Sequence, residues 1–232
     1  MGILQAVDLG LIGYEECVSL QQKLVARRHA GEVADTLLLL EHPPVITLGT
    51  AGGDESLLAD EDALERSGIK VVRTDRGGNI TYHGPGQLVG YPIIDLREHG
   101  KDVHAYLRKL ELVILGCLAD FGLTGETMPG YTGVWIGGMK ICSIGVAVRR
   151  WITYHGFALN VNPDFEHWAL IHPCGLVGRE VTSLERLLGH DPGMAAVKES
   201  AVASFAKTFD CQAIAPSFSC LVLQGEDGGG CW

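Results

Sequence analysis

Gly133-Val134-Trp135-Ile136-Gly137-Gly138-Met139-Lys140-Ile141-Cys142-Ser143-Ile144-Gly145-Val146, with a further apolar run over residues 152–161, decides the fold class. Two β-branched and aromatic segments flank a pair of glycines. That is the composition of a tight hairpin, whose central residues take a positive φ. Residues 152–161 complete an antiparallel meander. Outward from it, helical spacing takes over. Over residues 102–121, Val103, Tyr106, Leu107, Leu110, Val113, Ile114, Cys117, Leu118 and Phe121 fall three and four apart, which predicts a helix with one core-facing stripe. Helices are also predicted over 14–30, 60–66 with Gly68 closing it, 164–170, 182–188 and 194–209. Strands are predicted over 36–40, 45–48, 69–73 and 89–96, with His42-Pro43-Pro44 dividing the first two. Hairpin-linked strands mixed with helices exclude a regular βαβ alternation and give an α+β or mixed α/β fold.

Length and composition narrow the function. At 232 residues and 47% hydrophobic content, the chain can bury a core without disulfides or metal. A net charge of −10 with no long basic block argues against nucleic acid as the main partner. The longest uncharged apolar stretch, residues 112–119, is far shorter than the roughly 20 residues that span a bilayer, so no membrane segment is expected. The first residues have no basic n-region and do not read as a secretory signal. Seven cysteines, at 17, 117, 142, 174, 211, 220 and 231, include no C-x-x-C pair and read as free thiols of a reducing cytoplasm. With no repeat or internal linker, residues 1–224 read as a single domain and the glycine-rich residues 225–232 as a flexible tail.

Three segments hold the plausible chemistry. Arg76-Gly77-Gly78-Asn79-Ile80-Thr81-Tyr82-His83-Gly84-Pro85-Gly86-Gln87-Leu88 is dense in glycine, which lets backbone turn sharply and approach a ligand. It is neither a Walker loop nor a dinucleotide fingerprint, and a tight turn is the competing reading. Lys140 alternates into a mostly apolar strand, where a desolvated amine can act as a base. Cys174, between Pro173 and Gly175, is displayed on a loop, open to a catalytic or an inert role. The spacings among His155, His167, His172 and Cys174 match no common zinc site, so no metal is expected. A Cys/His hydrolase would need His83 or His155 beside Cys174.

Taken together, these segments resemble the lipoyl(octanoyl) transferase family over roughly residues 36–190. The glycine-rich run through Leu88, with Tyr91-Pro92 after it, resembles the family signature R-G-G-x-x-T-[aromatic]-H-G-P-G-Q-L. Gly138 to Gly145 with Trp151 to Asn160 form a second block, and Pro173-Cys174-Gly175 with Thr182-Ser183-Leu184 a third. The resemblance implies the fold of the biotin/lipoate protein ligase catalytic domain, with mixed, largely antiparallel sheets and surrounding helices. It implies an acyltransferase of protein lipoylation that takes an octanoyl or lipoyl group from acyl carrier protein. The acceptors are lysines on lipoyl domains of 2-oxoacid dehydrogenases and on the glycine cleavage H protein. The enzyme is expected to act as a cytoplasmic monomer without a cofactor. The nucleophile corresponds to Cys174 and its activating lysine to Lys140. The acyl-binding segments correspond to Arg76, Gly77, Gly78, Asn79, Ile80, Thr81, Tyr82 and His83, to Ser143, Ile144 and Gly145, and to Gly156, Phe157 and Ala158. The amides of Gly77, Gly78 and Gly175 are candidates for an oxyanion site.

Two rivals remain beside that reading. An ATP-dependent lipoate or biotin ligase also carries a glycine loop and a pocket lysine, but needs no nucleophilic cysteine. In lipoate ligases an acid typically follows the histidine of the loop, whereas His83 precedes Gly84. A catalytically inactive lipoyl-domain binding module would not need both Cys174 and Lys140. Cys142 stands where the family commonly has alanine. Two residues from Lys140, it would share a face with it in a regular strand. It reads either as a core thiol or as a pocket thiol able to form a disulfide with Cys174.

Carrier proteins and lipoyl domains are typically acidic, so an acidic enzyme needs local cations to attract them. Lys70, Arg73 and Arg76 precede the glycine loop, and Arg149 and Arg150 follow the Lys140 strand, which predicts a basic rim. Replacing Arg149 and Arg150 together by glutamate is expected to slow reaction with a carrier protein and flatten its salt dependence. Unchanged rates across a salt titration would refute the rim.

Overall fold

The computed structural model describes residues 2–52, 54–172 and 180–215, so Cys174 and the glycine-rich tail lie outside the described residues. In chain order the elements are β1 (Gly2–Leu11), α1 (Tyr14–Ala30), β2 (Asp35–Glu41), β3 (Val45–Leu48), α2 (Glu61–Ser67), β4 (Lys70–Arg73), β5 (Ile80–His83) and β6 (Gln87–Ile93). They continue with α3 (Val103–Asp120), β7 (Gly133–Ile136), β8 (Met139–Arg149), β9 (Ile152–Asn160), α4 (Leu184–Leu188), α5 (Met194–Phe209) and β10 (Cys211–Ile214). The predicted helix at 164–170 is a 3-10 turn over Glu166–Leu170.

Seven strands form one sheet in the order β10-β1-β2-β6-β9-β8-β7, and three form a second in the order β4-β3-β5. The meander predicted from the glycine pair is the β7-β8-β9 end of the larger sheet, antiparallel throughout and continued by β6 and β2. Alternation explains why β2 reads as four consecutive leucines. Leu37 and Leu39 pack with Tyr106, Leu110 and Val113 of α3 and Val197, Ala201 and Phe205 of α5. Leu38 and Leu40 face Cys17, Leu24 and Val25 of α1 on the other side. A strand covered on both faces has no polar side to show. The smaller sheet holds its own core, in which Ile46, Leu48, Ile80 and Tyr82 pack on Trp168 and Ile171.

Two strands escape the pattern. β1 pairs in parallel with β2 and β10, with a register irregularity between Asp8 and Leu11, and only Leu4 and Val7 of its length are buried. A half-exposed strand with apolar positions three apart shows no period of two. The third parallel pair, β3 with β4, likewise joins segments distant in sequence.

One cross-strand row fixes the middle of the sheet. Leu39 lies opposite Gly90, Gly90 opposite Phe157, and Phe157 opposite Ile144. The Phe157 ring lies over Gly90, where an added Cβ would sit 2.1 Å from Phe157 Cζ. Gly90→Ala is therefore expected to cost about 1–3 kcal/mol through overpacking. In urea unfolding the midpoint should fall with the slope unchanged, and Phe157→Leu in the same chain should restore part of the loss.

Candidate active site

A cleft of about 510 Å³ opens where the two sheets meet. The glycine-rich run enters it pinned by backbone. Thr50 N–H donates to Arg76 O, Ala51 N–H to Gly78 O and Gly49 N–H to Asn79 O, at 3.0–3.1 Å. On the other side Gly77 N–H donates to Val146 O of β8 at 2.9 Å. The approach is close enough to exclude any side chain at 145, because a Cβ there would lie 2.5 Å from Gly77 O. Arg76 completes the joint. It is buried, its Nη2 donating to Thr47 O at 2.7 Å and its Nε to Thr47 Oγ1 at 3.1 Å. It therefore belongs to the seam between sheets and not to an exposed basic rim, whereas Lys70, Arg73, Arg149 and Arg150 are exposed. The Gly77 amide, a candidate oxyanion donor, is taken by Val146 O.

Lys140 lines the cleft at 6% exposure, with Nζ 5.1 Å from the centre of the Trp135 ring. Its strand is bulged beside it. Val134 faces Cys142 and Trp135 faces Lys140, leaving Ile141 as an extra residue. The bulge breaks the alternation that would have put Cys142 with Lys140. Cys142 is 1% exposed and packs in the core among Ile141 and Leu159. Burial pushes its thiol far above the ordinary range. The pocket-lining reading of Cys142 is thus corrected to the core one. Burial likewise lifts Cys17 to about 12 and Cys117 to about 11.

The chain on either side of residues 173–179 is anchored by main-chain bonds, on one side to Lys140 itself. His172 N–H donates to Ser56 O at 2.8 Å. At the other end, Lys140 N–H donates to Glu180 O and Thr182 N–H to Lys140 O, each at 2.9 Å.

Of the segments predicted to bind substrate, residues 76–81, His83, 143–145 and 156–158 all line the cleft. Tyr82 is the exception. Its ring packs in the smaller core against Trp168, with its hydroxyl 2.8 Å from His167 Nδ1. Alternation along β5 sends Thr81 and His83 one way and Tyr82 the other. That ring also fills the space beside Gly84, where a Cβ would meet the Tyr82 hydroxyl at 2.0 Å. Sequence reasoning missed Val103, Leu107, Tyr91 and Tyr131, which also line the cleft. The core stripe of the predicted α3 helix carried the signal for Val103 and Leu107.

A layer of histidines and tyrosines backs the cleft. His42 Nδ1 donates to Ile12 O at 2.7 Å, so its Nε2 accepts from the Tyr91 hydroxyl at 2.9 Å, and burial lowers its pKa to about 4. Burial first, then its neighbours His42, Arg76 and His155, lowers His83 well below the ordinary histidine value. His155 takes a positive φ of 53° and its Nε2 pairs with Asp75 at 2.9 Å. Against the upward push of burial, hydrogen bonds from Tyr154 and His155 hold Asp75 below the usual carboxylate range. Among the described residues, no group of three or more His, Cys, Asp or Glu is placed to hold a metal ion.

Residues 13–206 match the family model described as the lipoyl protein ligase A/B catalytic domain. An octanoyltransferase of Desulforamulus reducens is 44% identical over 208 residues, covering 89% of this chain and 91% of that one. An octanoyltransferase of Rubrobacter xylanophilus is 52% identical over 198 residues, covering 84% and 89%. Among solved structures, lipoate-protein ligase A bound with ATP superposes with a TM-score of 0.72 at 18% identity, over 96% of this chain and 93% of that one. A putative lipoate protein ligase from T. acidophilum with bound lipoic acid gives 0.73 at 18% identity, over 91% and 88%. Those structures share the fold, a mixed α/β domain with largely antiparallel sheets. By sequence and fold together, the chain belongs to the lipoyl protein ligase A/B catalytic-domain family and, within it, to the octanoyltransferases.

Proposed function

We propose that this chain carries an octanoyl group from acyl carrier protein to lysine amines of lipoyl domains, with Cys174 as the acyl-bearing nucleophile and Lys140 as its proton acceptor. The observation that carries the octanoyl transfer is the 44% and 52% identity to octanoyltransferases over most of both chains. The residues of the site are inferred from its geometry and from the motifs.

In the first half-reaction Lys140 takes the thiol proton and the Cys174 thiolate attacks the thioester carbon of octanoyl-carrier protein. The departing carrier thiolate recovers that proton from Lys140. Thioester replaces thioester, so no ATP is needed to drive the step. In the second half a lysine amine attacks the acyl-enzyme and an amide forms, more stable than the thioester it replaces. Two features support the placement. Lys140 is held by Glu180 and Thr182 through its own backbone, and Cys174 lies six residues before Glu180 along the chain. The cleft wall of residues 143–145 and 156–158 offers bare backbone and the Phe157 ring to an extended alkyl chain, while the Gly78 amide remains a candidate for the oxyanion.

Gly84 weighs against a lipoate-ligase reading, since the acid typical of those enzymes at this point would displace the Tyr82 ring. Residues 1–224 are taken as one catalytic unit, consistent with a family match over 13–206. Lipoyl domains of 2-oxoacid dehydrogenases and the glycine cleavage H protein are the proposed acceptors, met by a monomer in the cytoplasm. Among the described residues no helix is long and apolar enough to cross a membrane.

Incubation with octanoyl-carrier protein should add one octanoyl mass at Cys174, and Cys174→Ala should abolish it. Lys140→Ala should leave a folded protein that acylates about 10²–10⁴-fold more slowly. Full activity in either variant would overturn the dyad. Octanoylation of a lipoyl domain from free octanoate and ATP would overturn the transferase reading.

A further inference from the structure

Two hydrogen-bonded amides behind the cleft determine the form of His83. Thr182 O can only accept, so the Asn160 atom 3.0 Å from it is Nδ2, a donor. Asn160 therefore presents Oδ1 to Gln87, which must donate through Nε2 at 2.9 Å. The same Nε2 donates to Tyr82 O at 3.2 Å, a second main-chain acceptor that demands the same orientation. Gln87 is left with Oε1 toward His83 Nδ1 at 2.7 Å, and Oε1 can only accept. The ring thus carries its proton on Nδ1, and Nε2 bears a lone pair. Gln87 is fully buried and Asn160 is 3% exposed, so water does not offer either of them an alternative.

His83 lines the cleft, and no described residue donates to Nε2. With Nδ1 committed to Gln87, the Nε2 lone pair is the acceptor the ring can offer there. Tyr14 stacked at 6.1 Å and His42 edge-on at 5.8 Å hold the ring in place. Burial keeps it neutral. A neutral imidazole in this tautomer accepts a hydrogen bond at the cleft and cannot donate one.

In acylation the reacting atoms carry one proton, that of the thiol, which Lys140 takes. In transfer the attacking lysine is a primary amine with two N–H bonds. One proton must leave and the other stays in the amide. An acceptor for the second N–H is needed in transfer and not in acylation, so the two half-reactions make different demands on this nitrogen.

Resting on the proposed acyl-enzyme route, we infer that His83 Nε2 accepts the retained N–H of the attacking lysine amine and that Gln87 and Asn160 are positioning residues holding it in that form. The bond to His83 restrains the amine as its nitrogen attacks the thioester carbon. As the N–C bond forms the C–S bond breaks, and its electron pair leaves with the Cys174 sulfur. The proton shed by nitrogen goes to Lys140 and from there to that sulfur, which restores the starting enzyme. His83 stays neutral throughout.

Single-turnover mass spectrometry on the full chain separates the two halves. Enzyme is loaded from octanoyl-carrier protein, freed of carrier, and then given either a lipoyl domain or hydroxylamine. For His83→Asn, which keeps a donor toward Gln87 but nothing at Nε2, the ratio of acylation rate to transfer rate is expected to rise about 10- to 100-fold, the loss of one or two net hydrogen-bond equivalents. His83→Gln, whose longer amide places an oxygen near the Nε2 position, should recover part of that ratio. Gln87→Leu should move it in the same direction as His83→Asn. The ratio should rise with hydroxylamine as well as with the lipoyl domain. Equal slowing of both halves, or slowing with the lipoyl domain alone, would overturn the inference and leave a structural or docking role. A wild-type enzyme that never gains the octanoyl mass would instead overturn the acyl-enzyme reading.

Discussion

The site depends on one main-chain joint between two sheets. Gly77 N–H reaches Val146 O on the larger sheet, while residues 49–51 of the smaller one hold the carbonyls of Arg76, Gly78 and Asn79. Backbone meets backbone here with no side chain between, and Arg76 locks the arrangement by closing on Thr47. Buried main-chain groups must be paired, so the loop cannot lift from either sheet without exposing several of them at once. The cleft inherits its width from this contact. Its floor is one sheet, its rim the other, and the loop is fixed to both.

Much of this was legible in the sequence because it rests on local signals. α3 and α5 declare themselves by apolar residues three and four apart, and the Gly137-Gly138 pair marks the turn between β7 and β8. The motif blocks placed most of the cleft lining. What was not legible depends on partners remote in the chain. β1 and β10 belong to the sheet through parallel pairing that no neighbouring residue announces. The orientation of Cys142 turned on a single extra residue, Ile141, and a one-residue insertion into a strand leaves no compositional trace. Tyr82 sits inside the signature block, yet its strand parity sends it into the core. Arg76 reads as a surface cation until Thr47 is seen beside it.

The histidines show how burial and hydrogen bonding divide the work. His42, His83 and His155 are all nearly sealed from water, and each has a ring nitrogen committed to a fixed partner. Such residues do not titrate near neutrality as free imidazoles do; they serve as oriented acceptors and donors. Proton transfer among the residues proposed to react then falls to Lys140, and the layer behind the cleft supplies direction without adding charge. His155, at positive φ beside Asp75, is strained by about 1–3 kcal/mol in backbone terms. The surrounding Gln21 and Asp75 hydrogen bonds hold it there.

Gly84 has a bearing on how such sites diverge. The Tyr82 hydroxyl occupies the place a Cβ at 84 would take, and the same ring is tied to His167 and packed on Trp168. An acidic side chain at 84 therefore requires the Tyr82 ring to be displaced. A ring that moved aside, or a smaller residue at 82, would give up the hydrogen bond to His167 and the contact with Trp168. The path from thioester exchange toward a site with an acid at this point thus carries a cost set by a residue that is not part of the cleft lining.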